Sequence, residues 1–128
     1  MSAENILVVD DEEIIGIALS RELSDKGYNV DYVLNGAEAL KVAKHKKYDI
    51  VFIDKSMPGM DGIETCRAIK QINPCSMAIF MTGSFDHDNI LKEKEFVQAG
   101  GGSFFLYKPF ARGEVQEVVQ KVLGKTNS

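Results

Sequence analysis

Four short runs of consecutive apolar residues, each closed by a polar residue, constrain the fold of this chain more than any other feature. Ile6-Leu7-Val8-Val9 runs into Asp10-Asp11, and Ile50-Val51-Phe52-Ile53 runs into Asp54. Ala78-Ile79-Phe80-Met81 runs into Thr82, and Phe104-Phe105-Leu106-Tyr107 runs into Lys108-Pro109. Runs this short and this uniformly apolar suit parallel strands covered on both faces. Helical patterns lie between them, and parallel strands joined by helices make an α/β sheet.

The pattern predicts strands near residues 5–10, 30–34, 49–54, 77–82 and 103–107. The second differs from the rest: Val30, Tyr32 and Leu34 alternate with Asp31 and Val33, as in a partly exposed edge strand. A first helix is expected over 13–26, with Ile14, Ile15, Ala18, Leu19 and Leu23 on its buried face and Gly27 as its stop. Asn35, with Glu38 three residues on, opens a second helix. A third starts after Asp61, again with a glutamate (Glu64) three residues on, and stops before Asn73-Pro74. A fourth lies within 88–99, and a fifth carries Val115, Val118, Val119, Val122 and Leu123 on one stripe. The architecture expected is a doubly wound (βα)5 domain of flavodoxin-like type, with five parallel strands in the order 2-1-3-4-5. That order leaves the alternating strand at an edge and buries strands 1, 3 and 4.

At 128 residues a single domain is expected over 1–128, with its core at about 5–123. Hydrophobic residues at 45% and charged residues at 27% are ordinary for a globular protein. No apolar stretch approaches the length of a bilayer span, and the first residues do not resemble a secretory signal. Cys66 and Cys75 have no metal-ligand spacing, which suits a reduced, cytoplasmic chain with two incidental thiols. A net charge of −4 argues against direct nucleic-acid binding.

In open sheets of this order, ligands collect at the carboxyl ends of the strands, where strand order reverses. Here that point lies between strands 1 and 3, which end in Asp10-Asp11 and Asp54. If the four strands are neighbours, three carboxylates, a hydroxyl (Thr82) and an ammonium (Lys108) meet there. Such a set suits a divalent cation and a phosphoryl group.

The chain resembles the receiver domains of two-component response regulators, of the chemotaxis-regulator kind. The resemblance covers most of the chain and rests on four motifs in order: Val9-Asp10-Asp11-Glu12, Asp54-Lys55-Ser56-Met57-Pro58-Gly59-Met60-Asp61-Gly62, Thr82-Gly83 and Lys108-Pro109-Phe110. It implies a phosphorylation-activated switch rather than an enzyme acting on other substrates. Asp54 would be the phosphoacceptor, forming a 4-aspartylphosphate. Asp11 directly, Asp10 mainly through water, Asp54 and the backbone carbonyl of Ser56 would hold Mg²⁺. Lys108 would offset phosphoryl charge, aimed inward by a cis bond to Pro109. Thr82 would donate its hydroxyl and move inward, and Phe105 would turn into the space vacated. For Phe105 a plain core residue is the competing reading, since Phe104 and Tyr107 adjoin it; for Asp10 or Asp11 it is a cap of the first helix.

The resemblance further implies phosphoryl supply by a sensor histidine kinase or phosphotransfer protein in a phosphorelay. Output would pass through the surface of helix 4, strand 5 and helix 5 to a downstream protein or fused effector, or to a second copy in a phosphorylation-dependent homodimer. The segment from Thr82 to Lys108 is longer than the family leads one to expect, near Phe85-Asp86-His87-Asp88 and Gly100-Gly101-Gly102. Ser56 and Ser84 occupy flanking positions that tune hydrolysis in the family. His45 and His87 read as solvated surface residues.

Two enzyme-like alternatives fit less well. Haloacid-dehalogenase-type phosphatases place a second Asp two residues after the nucleophile, where this chain has Ser56, and their nucleophile follows the first strand. Flavodoxin needs a Ser/Thr/Gly-rich phosphate loop where this chain has Asp-Asp-Glu-Glu. A phosphorylation-incompetent interaction module would not need Asp10, Asp11, Asp54, Thr82 and Lys108 together.

Overall fold

A computed structural model describes residues 3–55, 57, 59–83, 94–101, 104–108, 110–111 and 113–124. The strands are β1 (Asn5–Val9), β2 (Asn29–Val33), β3 (Ile50–Asp54), β4 (Met77–Thr82) and β5 (Phe105–Tyr107). They form one parallel sheet in the order β2-β1-β3-β4-β5, as the sequence predicts. The helices are α1 (Glu13–Asp25), α2 (Gly36–Ala43), α3 (Gly62–Ile72), α4 (94–98) and α5 (Glu114–Val122). Among the described residues no helix is long and apolar enough to cross a membrane.

Alternation along each strand divides the core into two layers. Leu7, Val9, Val51, Ile53, Ala78 and Phe80 face one way, against Ala39 of α2, Ile63, Cys66 and Ile69 of α3, and Phe96 of α4. Ile6, Val8, Phe52, Ile79, Met81 and Leu106 face the other, against Leu19 and Leu23 of α1 and Val115 and Val119 of α5. The three inner strands are apolar along their middles because both faces are covered. The partly exposed β2 closes one edge.

The first helix departs from expectation. It ends at Asp25, and Gly27 takes the left-handed conformation just beyond (φ 98°). Its buried residues are Gly16, Leu19 and Leu23, whereas Ile14 is 83% exposed and Ala18 is also outside. The reason is Tyr32 of β2, whose ring presses on the helix so closely that a Cβ on Gly16 would lie 2.2 Å from it. The helix therefore turns a glycine inward, a residue that hydrophobic periodicity does not count. β2 also starts one residue earlier than expected and leaves Leu34 outside the strand, 41% exposed.

The turns into α2 and α3 are capped as the sequence predicts. Asn35 Oδ1 accepts from the Glu38 amide (2.9 Å), while Glu38 reaches back to the Leu34 amide (3.3 Å). Asp61 and Glu64 form a reciprocal capping box: Glu64 N–H donates to Asp61 Oδ1 (2.9 Å), and Asp61 N–H donates to Glu64 Oε1 (3.4 Å). The expected start of the fifth strand at Ser103 and the first part of the expected fourth helix lie outside the described residues.

Candidate phosphoacceptor and metal site

Register brings the polar strand ends together. β1 and β3 are adjacent with Val9 opposite Ile53, so Asp10 and Asp54 are the next residues along neighbouring strands. Asp54 pairs with Met81, which puts Thr82 one residue beyond on the other side. The Lys108 amide donates to the Thr82 carbonyl (2.8 Å), and the Lys55 amide donates to the Met81 carbonyl (2.8 Å), extending the ladders past the strand ends. Asp10, Asp54 and Thr82 are buried, at 0%, 5% and 1% exposure.

One ammonium holds the centre. Lys108 Nζ lies 2.9 Å from Asp10 Oδ2, 2.9 Å from Glu12 Oε1 and 3.2 Å from Asp54 Oδ1. The contacts with Glu12 and Asp54 are directed hydrogen bonds. The contact with Asp10 Oδ2 is electrostatic only, since its direction leaves that buried oxygen without a hydrogen-bond partner. The other Asp10 oxygen accepts from the Glu12 amide (2.8 Å), and the Tyr32 hydroxyl donates to the Asp10 carbonyl (2.8 Å).

Burial, reinforced by the negative charge of Asp10, pushes Asp54 up to about 7 against the lowering effect of Lys108; the Asp11 carboxyl raises it further. For Lys108, burial acts to lower its affinity for protons. Its close contacts with Glu12 and Asp10 and the charges of Asp54 and Asp10 outweigh that, so it is held above the usual lysine range. Asp54 thus bears the electrostatic strain of the cluster, as expected of a carboxylate sharing a desolvated pocket with another.

Asp10, Glu12 and Asp54 offer oxygens that all lie within 4.8 Å of one another, a group able to hold a metal ion. All donors are carboxylate oxygens and one, Asp10 Oδ2, is buried without a hydrogen bond, so the site suits a hard, oxygen-seeking cation. Asp11, expected as a direct ligand, is exposed at the rim with its carboxyl within reach of Asp54, and Glu12 joins Asp10 and Asp54 in the close trio. Glu12 closes the first motif, but sequence reasoning gave it no role of its own within the acidic run Asp10-Asp11-Glu12-Glu13. The expectations for the Ser56 carbonyl, Ser84, His87 and the Pro109 bond lie outside the described residues.

Gly62 is a second residue that motif reading gave no separate role. A Cβ there would lie 2.4 Å from the Asp54 carbonyl oxygen, so only glycine lets α3 begin this close to the end of β3. Phe105 faces the α3 and α4 side, edge-on to Phe80 (centroids 6.3 Å apart) and tilted against Phe96 (6.0 Å), while Phe104 packs on the opposite layer. It is half-buried, on the same face of the sheet as Thr82. An open groove of about 870 Å³ lies elsewhere, at the β2 edge between Asp31, Tyr32, Val33 and the end of α2. It gathers no carboxylate cluster, and the chemistry sits at the strand ends.

The family model for the response regulator receiver domain matches residues 6–120. The chain belongs to this family. It is 35% identical over 123 residues to sporulation initiation phosphotransferase F of Bacillus subtilis, covering 96% of each. It is 33% identical to the alkaline phosphatase synthesis transcriptional regulatory protein PhoP of the same organism, covering 96% of this chain but 50% of that protein. The receiver thus spans nearly all of the first relative and about half of the second. Among solved structures, the Vibrio cholerae chemotaxis protein CheY4 superposes with a TM-score of 0.84 at 27% identity, covering 94% of this chain and 99% of that one. Receivers are signalling domains of two-component systems, and the fold matches that family.

Proposed function

We propose that this receiver is a phosphorylation-activated signalling switch that accepts one phosphoryl group on Asp54. The observation that most supports this is the Lys108 ammonium, 3.2 Å from Asp54 and 2.9 Å from Asp10 in a buried pocket at the switch point of the sheet. A carboxylate is a workable nucleophile for phosphoryl transfer, which asks chiefly for alignment and charge neutralisation. An Asp54 oxygen attacks phosphorus in line; the bond from phosphorus to the donor imidazole nitrogen breaks, and an acyl phosphate forms. Lys108 neutralises phosphoryl oxygens as charge shifts, and the Thr82 hydroxyl donates to one of them. When bound, Mg²⁺ would supply further neutralisation and alignment; Asp11, Asp54, the Ser56 carbonyl and, mainly through water, Asp10 would hold it. Water later attacks phosphorus, releasing phosphate and restoring the Asp54 carboxylate, so the domain catalyses only its own modification.

The domain, read as a single unit over 1–128, works in the cytoplasm. Its phosphoryl group comes from a sensor histidine kinase or a phosphotransfer protein. The added charge draws Thr82 inward and Phe105 follows, altering the α4–β5–α5 surface. That surface contacts a downstream protein, an attached effector or a second copy, and the domain itself does not bind nucleic acid. The likeness to a named phosphotransferase and to a transcriptional regulator supports both ends of this pathway.

Incubation with acetyl phosphate or phosphoramidate and Mg²⁺ should add one hydroxylamine-labile phosphoryl group, read by mass spectrometry. Asp54→Asn should abolish it. Undiminished labelling of that variant would exclude Asp54 as the acceptor.

A further inference from the structure

Glu12 stands in the carboxylate trio but has no part in the proposed transfer, yet it makes one of the two shortest ion pairs at the site. Its Oε1 lies 2.9 Å from Lys108 Nζ, and its side chain is 60% exposed where that of Lys108 is 10% exposed. It therefore sits at the rim, on the solvent side of an ammonium whose other partners, Asp10 and Asp54, are buried. Glu12 is also the residue from which α1 begins, and its own side chain makes no capping hydrogen bond, so helix formation does not explain its conformation.

A cation entering between Asp10 and Asp54 meets a like charge already there. Lys108 must leave those two oxygens, and an ammonium one-tenth exposed is not free to retire into water. Glu12 offers a seat one step outward. We propose that Glu12 is a positioning residue that receives Lys108 when a divalent cation takes Asp10 and Asp54, and that it thereby sets the metal affinity of the site. This inference rests on the switch reading of the same pocket.

Magnesium titration by calorimetry, without any phosphodonor, tests it on the full chain. Glu12→Gln should weaken Mg²⁺ binding by about threefold to fivefold, the scale of a half-exposed ion pair. Glu12→Asp keeps the charge but shortens the arm by one methylene, and should weaken binding by a similar factor. Removing the ammonium with Lys108→Ala should make the Glu12→Gln change nearly silent, because no lysine remains to be seated. Wild-type affinity in Glu12→Asp would overturn the proposal in favour of a simple field effect. An undiminished loss in the Lys108→Ala background would overturn it in favour of direct metal ligation by Glu12. Failure of the wild-type chain to bind Mg²⁺ at all would instead remove the switch reading, and this inference with it.

Discussion

Asp54 is held at odds with its own charge. Its ordinary value is 3.8 and the folded site raises it to about 7, chiefly by burial and then by Asp10. Above pH 7 the folded state must keep this carboxylate ionised, which the unfolded chain does at no cost; below pH 4 both states bind the proton and the penalty vanishes. Asp54 alone therefore makes the metal-free protein more stable as pH falls from 8 towards 4. Asp54→Asn should raise unfolding free energy at pH 8 by on the order of 2 kcal/mol, less than the full shift because the Lys108 contact is lost too. The gain should shrink towards zero near pH 4. Denaturant unfolding of both proteins across that range measures it, and a pH-independent difference would contradict the raised affinity. That this residue stands in the strand-end cluster was legible from its place at the end of an apolar run. Its companion Glu12 was not: in four consecutive acids, only the path of the chain into α1 decides which one turns towards Lys108.

At the level of elements, the approach of α3 to β3 fixes the back wall of the site. Gly62→Ala would force a methyl group against the Asp54 carbonyl, where the nearest atom belongs to backbone and cannot swing aside. A cost of about 1–3 kcal/mol is expected from such overpacking, together with slower phosphoryl acceptance as the end of β3 shifts. Chemical unfolding and phosphoramidate labelling of the variant would measure the two effects separately. The strands were readable because inner strands of a covered parallel sheet admit apolar side chains on both faces; the runs had no alternation to confuse. Capping was readable too, since Asn35 and Asp61 each precede a glutamate by three residues and both caps form. The burial of α1 was misjudged because a tyrosine on a neighbouring strand, not the helix's own pattern, chose Gly16 for the inner face.

For the whole molecule, two apolar layers anchor a sheet whose reactive groups all lie at one end, so a ligand bound there stabilises the native state alone. Mg²⁺ at ~100 times its dissociation constant should add about 2.7 kcal/mol, raising the thermal midpoint of a domain this size by on the order of 10 °C. Calorimetric scans with Mg²⁺ and with chelator should show the difference in the wild-type chain and lose it in Asp10→Asn. An equal shift in that variant would place the ion elsewhere. The order of the strands was legible from the edge-strand pattern of β2 taken with the common orders of doubly wound sheets, whereas the bond that joins β5 to the tip of β4 was not. There the Lys108 amide hangs from the Thr82 carbonyl by a 2.8 Å bond. A cationic arm and a hydroxyl arm are thus mounted on a common hinge pin, and neither strand tip can be pulled without tugging the other.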